Sequence, residues 1–133
     1  ETDVNAWWES IAARDVIIRN NKFINGKFET GYLHGVIEFH TMSKTAPAGV
    51  YRNVLIEKNI FLGSAGNTIK IGSADGVDIR NNTMDHSEEE AIYLYNSGNI
   101  RISGNKLTNS KTGLKIADGC DSATIKSQNN IGF

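Results

Sequence analysis

Apolar and polar positions alternate along this chain in a pattern that recurs. The template, apolar-x-apolar-x-x-Asn-x-apolar, appears at Val16/Ile18/Asn21/Phe23, Val54/Ile56/Asn59/Phe61, Val77/Ile79/Asn82/Met84 and Ile100/Ile102/Asn105/Leu107. The last three copies start 23 residues apart, and a worn copy, Ala123/Ile125/Gln128, starts 23 further on. A second alternating run follows each full copy: Ile37-Glu38-Phe39, Ile69-Lys70-Ile71, Ile92-Tyr93-Leu94 and Leu114-Lys115-Ile116. Period-two alternation rich in β-branched residues predicts half-buried strands, and a fixed period of 20 to 50 residues predicts a stacked architecture.

Each unit therefore reads as a strand, an Asn turn, a short apolar-centred strand, a loop, a second strand and a turn back. No segment carries the 3.6-residue period of a crossover helix, so successive units stack their strands in parallel. The expected fold is all-β: a single-stranded right-handed parallel β-helix with about 23 residues per coil. Leucine-rich repeats share the Asn template at a similar period. They require an apolar residue three positions before the first, where this chain has Ala13, Tyr51, Ala74 and Ser97, and they follow the strand with a helical segment. Asn at the bend tolerates left-handed backbone, and amides stacked coil over coil pass hydrogen bonds along the axis. Asn21, Asn59, Asn82 and Asn105 thus form an expected internal ladder, with Gln128 continuing it.

The same alternation sorts outward positions. The second strand of each unit turns out Glu38, Lys70, Tyr93 and Lys115, then His40, Gly72, Tyr95 and Ala117. The first strand turns out Ile17, Leu55, Asp78, Arg101 and Thr124. Ile17 and Leu55 are apolar for a solvated face, which calls for a covering segment. Lys70 is expected to pair with Glu38, a contact of small value if exposed.

One unit is too long. Val16 and Val54 are 38 residues apart, 15 more than the period. About six of these enlarge the loop over 24–35 and about nine enlarge the loop over 40–53, on either side of the strand over 36–40. Long loops on a repeat scaffold carry function, so a walled groove is expected there. Its candidate lining is Tyr32, His34, Glu38 and His40, with Trp7, Trp8 and Glu9 on the adjoining layer. Aromatic faces beside carboxylates and imidazoles suit sugars: rings stack on the apolar face of a pyranose while Glu and His bond its hydroxyls. Structural roles compete for each: Trp7 and Trp8 as packing at the coil edge, His34 and His40 as ordinary structural histidines.

Composition narrows the field. Of 133 residues, 14 are basic and 15 acidic, a net charge of -1 that provides no field for nucleic acid or an anionic membrane. No apolar run reaches the 18 residues of a spanning helix. The single cysteine, Cys120, excludes an internal disulfide framework and leaves the compartment open. A lone Glu38/His40 pair does not make a metal site. The run Asp85-His86-Ser87-Glu88-Glu89-Glu90 reads as a solvated loop, with calcium as the one cofactor its carboxylates would suit.

Several stretches resemble a known family. Trp8-Glu9-Ser10, Arg14-Asp15-Val16-Ile17-Ile18-Arg19-Asn20-Asn21-Lys22-Phe23 and Gly35-Val36-Ile37-Glu38-Phe39-His40 are similar to later coils of the α-1,3-galactosidases of glycoside hydrolase family 110. Tyr51–Phe61 and Asp75–Thr83 continue the likeness, which covers roughly residues 7 to 84. The Trp-Glu-Ser stretch is its most specific part; Ile11 stands where a glycine is expected. The resemblance implies a carbohydrate-active β-helix whose catalytic carboxylates lie upstream of Glu1. The expectation is the C-terminal portion of a larger secreted or periplasmic glycosidase acting on an oligosaccharide or polysaccharide. Such a piece should self-associate end to end through its open layers. A polysaccharide lyase or epimerase, a glycan-binding module and a purely structural stack are the competing readings. Hydrolysis needs two facing carboxyl groups, and Glu9 with Glu38 is the one groove-side pair the sequence offers.

Overall fold

In the computed structural model, the described residues are 12–26, 35–41, 46 and 48–133. Strand follows strand. The first coil is β1 (Arg14–Arg19), β2 (Lys22–Gly26) and β3 (Gly35–Phe39); the second is β4 (Tyr51–Glu57), β5 (Ile60–Ser64) and β6 (Asn67–Gly72). The third is β7 (Ala74–Arg80), β8 (Thr83–Ser87) and β9 (Glu90–Tyr95), and the fourth β10 (Gly98–Ser103), β11 (Lys106–Thr108) and β12 (Thr112–Ile116). A fifth begins with β13 (Lys126–Gln128).

Like strands of successive coils pair in parallel, giving a first sheet β1-β4-β7-β10-β13, a second β2-β5-β8-β11 and a third β3-β6-β9-β12. Inward positions stack in columns: Val54, Val77 and Ile100; Ile56, Ile79 and Ile102; Ile69 and Ile92 with Ile37 above, all buried. Phe23 and Phe61 stack at 4.8 Å with planes 7° apart, the spacing of adjacent strands. Burial of these columns supplies the driving force, about 25 cal/mol per Å² of apolar surface.

The ladder is continuous. Each Asn side-chain oxygen accepts from the backbone and the amide of the Asn one coil earlier: Asn59 from Asn21, Asn82 from Asn59 and Asn105 from Asn82, at 2.9–3.1 Å. The amides of Asn59, Asn82 and Asn105 also donate to a strand carbonyl of the preceding coil, as Asn82 does to Ile56 at 3.0 Å, whereas Asn21 donates to Arg19 O of its own coil. The left-handed bend belongs to the residue before: Asn20, Lys58, Asn81 and Gly104 have φ of 57°, 52°, 54° and 64°. Bending and bonding are thus split between neighbouring positions, not combined in the ladder Asn.

The last coil corrects the expected register. Asn130, not Gln128, continues the ladder, accepting from Asn105 N and Nδ2 at 2.9 and 3.0 Å. Arg101 pairs with Lys126, so Lys126 and not Thr124 joins the outward row, and Ala123 does not sit above Ile100. The cause is a 3₁₀ turn at Ser122–Thr124, which takes up two residues before the strand resumes. Thr124 Oγ1 meanwhile accepts from Asn99 N at 2.9 Å, in place of a strand partner. Elsewhere on that row Ile17 is 59% exposed and Leu55 is half-buried.

Both enlarged loops are where the spacing places them. Eight residues separate Gly26 from Gly35 where two separate Ser64 from Asn67; eleven separate Phe39 from Tyr51 where two separate Ile71 from Ala74. Register survives both, since Gly35 pairs with Asn67 and Tyr51 with Ala74. The second loop is anchored: Ser73 Oγ bonds Thr41 Oγ1 and donates to Ala46 O, each at 3.1 Å, and Thr41 and Ala46 are buried.

Candidate functional site

The outer face of the third sheet carries a connected set of polar and aromatic side chains. Alternation puts Glu38, Lys70, Tyr93 and Lys115 in one register column. Lys70 Nζ lies 3.2 Å from Glu38 Oε1, and both side chains are only 14% exposed. That shielding raises the pair above the surface contact expected, because solvent screening is reduced. Gly35 N donates to Glu38 Oε2 at 3.2 Å, so the insert-bearing strand holds its own carboxylate. His40 Nδ1 lies 3.6 Å from Glu38 Oε1, beyond hydrogen-bond reach, and 2.9 Å from Tyr95 Oη.

Tyr95 belongs to the third coil and His40 to the first. The side chain spans the intervening coil at Gly72, where a Cβ would lie 1.9 Å from the ring. Burial, opposed by a hydrogen bond from the Thr41 backbone, pushes the Tyr95 phenol up to about 12. Tyr51 Oη donates to His40 O, fixing the backbone beneath the imidazole.

Further along, Tyr93 lies 6.1 Å from Tyr95 between ring centroids, and Lys115 Nζ lies 5.6 Å from the Tyr93 ring. Lys115 also pairs with Glu90 Oε1 at 3.4 Å. Burial works to raise Glu90, but its own backbone N–H, Lys115 and Asn67 outweigh it and lower its pKa. Glu90, Tyr93 and Lys115 line a cleft of about 380 Å³, between Asn67 and Lys70 on one side and Lys111 on the other.

Of the residues expected from sequence, the structure brings Glu38 and His40 together on this face. Trp7, Trp8, Glu9, Tyr32 and His34 lie outside the described residues. The acidic run is mostly strand instead of loop: Asp85 and Ser87 are in β8 and Glu90 opens β9. Asp85 and Glu90 have separate partners: Asp85 accepts from Thr108 and Asn109 at 2.7 and 2.8 Å, which lowers its pKa, and Glu90 pairs with Lys115. Among the described residues no three His, Cys, Asp or Glu side chains converge as a metal site requires.

The parallel coils, the three sheets and the ladder agree with a match over residues 9–131 to the family described as right handed beta helix region. The chain belongs to that family.

Two sets of relatives narrow its neighbourhood. Alpha-1,3-galactosidase A of Bacteroides fragilis, matched in two strains, is 34% identical over 90 residues. The match covers 66% of this β-helix chain and 15% of that protein. Alpha-1,3-galactosidase A of Bacteroides thetaiotaomicron is 26% identical over 110 residues, or 77% of the chain and 18% of the relative. The β-helix chain thus spans less than a fifth of the length of these relatives. No solved structure matches it.

Sequence reasoning placed Tyr93 and Tyr95 on the outward rows but left them out of the site. The missed signal was Gly72, the small residue between His40 and Tyr95 in their column, which lets a side chain two coils away reach the first.

Proposed function

We propose that this chain is part of an exported glycoside hydrolase of α-galactosidase type, in which the third sheet contacts glycan and the catalytic acids lie outside the segment. The observation that supports this reading best is the outer face of that sheet. Tyr93 and Tyr95 offer ring surface, and Glu38, His40, Lys70 and Glu90 hold donors and acceptors at fixed positions around it. Mixed apolar faces and oriented hydrogen-bonding groups are what a pyranose presents in return.

The chemistry of the carboxylates supports placing catalysis elsewhere. Glycoside hydrolysis needs one carboxyl group held protonated beside a second that is ionised. Glu38 and Glu90 each face a lysine, at 3.2 and 3.4 Å, which favours the anion in both. Two lysine-paired carboxylates orient hydroxyls better than they donate protons. That same observation favours a non-catalytic glycan-binding role as the second reading.

Titrating the protein with α-1,3-linked galactosides by calorimetry tests this. Binding should be measurable, and Tyr93→Ala should weaken it roughly three- to tenfold through loss of ring contact. Identical affinities for wild type and Tyr93→Ala would remove this face from consideration.

A further inference from the structure

The two ends of the Asn ladder differ. Asn59, Asn82, Asn105 and Asn130 each use their side-chain oxygen twice, accepting the backbone N–H and the amide of the Asn one coil earlier at 2.9–3.1 Å. Asn21 is exposed, and among the described residues nothing donates to its side-chain oxygen, although its own N–H and amide engage Asn59. At the far end the amide of Asn130 is fully used. One hydrogen goes to Ile102 O and the other to Ser127 Oγ, each at 3.0 Å, so a serine fills the role that the oxygen of the next Asn fills elsewhere. Residues 131–133 then cross coil four. Ile131 N donates to Asn105 O at 2.9 Å and its carbonyl accepts from Leu107 N at 2.8 Å, while Gly132 lies against Leu107 and Phe133 against Gly113.

The layers repeat this contrast. Among the described residues β1, β2 and β3 pair on one side only, with β4, β5 and β6, so each presents the unpaired N–H and C=O groups of an edge strand. Val16, Ile18 and Phe23 are half-buried, where Val54, Ile56 and Phe61 one coil on are at most 2% exposed. In coil four Ile100, Ile102 and Leu107 are buried. We propose that the exposed layer of coil one is a docking surface for a further parallel coil of the same repeat, with an Asn at its bend, contributed by the same polypeptide upstream of these 133 residues. Such an occupant must run parallel to meet all three edge strands, and it must bring an N–H and an amide to Asn21 Oδ1. An Asn one period of 23 residues before Asn21 does both, and that position lies upstream of Glu1. A second copy of this chain does not match the corner. Face to face it would set Asn21 Oδ1 against its own equivalent, acceptor on acceptor; head to tail it would offer Asn130, whose two amide hydrogens are already engaged. The relatives leave room for further coils, since the chain spans less than a fifth of their length.

Lengthening the stack by one coil tests this. A second copy of residues 74–96, set directly before Ala13 in place of residues 1–12, brings the copied Asn82 to 23 positions before Asn21. Backbone amides of β1 should then exchange with solvent roughly tenfold or more slowly than in the 133-residue chain. Changing the copied Asn82→Ala should remove most of that gain. Asn21→Ala should shift the unfolding equilibrium roughly five- to hundredfold more in the lengthened chain than in the original, because only there is its oxygen bonded. A lengthened chain that folds, yet leaves β1 exchange and the Asn21→Ala effect as they were, would overturn the inference. In the unaltered chain, β1 exchange should not depend on protein concentration. Protection that rises with concentration would give the layer to a second copy and overturn the inference equally. No galactoside enters these measurements, so the glycan reading stands or falls separately.

Discussion

At the scale of single residues, the corners govern what side chains can stand there. Asn81 is left-handed at its corner, and its side-chain oxygen lies over Gly104, the corner of the next coil, 2.5 Å from where a Cβ would stand. Asn96 covers Gly119 in the same way. Small residues at these points let amides fold over the neighbouring turn, which the composition of 13 Gly only hinted at. Tyr95 uses the same allowance on a sheet face, and its burial makes a pH prediction. The native phenol titrates at about 12 against 10.0 for the unperturbed group. Its contribution to stability is therefore complete below pH 10 and is lost as pH rises from there toward 12, because the unfolded chain gives up the proton first. Phenolate absorbance in alkaline titration should include a late component, and its amplitude should fall by one tyrosine in Tyr95→Phe.

At the scale of elements, the alternating runs made the strands legible, and the recurring Asn made the bend after each first-sheet strand legible too. The ladder should behave as a unit whose value depends on depth. Asn82 is 1% exposed and bonded above and below, so Asn82→Ala leaves the Asn59 N–H and the Ile56 carbonyl without that amide. Each orphaned buried group costs about 1–3 kcal/mol. Chemical denaturation should show a loss of that order, with a smaller one for the half-buried Asn130→Ala. The last coil was misread because Ala123 and Ile125 satisfy the alternation in either phase, and a two-residue slip leaves the apolar pattern intact. The sequence did hold the deciding signal: Asn129-Asn130-Ile131 repeats the bend-then-bond pair of Asn20-Asn21 and Asn81-Asn82, and Asn129 has φ 55°. The site was legible only as far as a strand between two long loops. Contacts that leap a coil, such as His40 to Tyr95, depend on side-chain length and a gap, neither of which periodicity records.

At the scale of the whole molecule, each coil leans on its neighbours, so stability is a sum of nearest-neighbour terms along one axis. The columns of β4 through β9 hold residues with no exposure, including Ile56, Ile69, Ile71, Ile79, Ile92 and Leu94, whereas β13 is exposed along its length. Amide hydrogen exchange should accordingly be slowest in the second and third coils and faster in β13, in contiguous steps along the axis. Uniform protection across all coils would contradict a one-dimensional stack.

Gly35 still meets Asn67, and Tyr51 still meets Ala74, on the far sides of two insertions. The entropic cost of closing a loop grows only with the logarithm of its length, about 0.6 kcal/mol for each doubling. A corner that admits six or nine extra residues without disturbing the strand beyond it is thus a port at which new chain is acquired cheaply. Novelty in such a molecule accumulates sideways, at the bends, while the strands that count the coils are left alone.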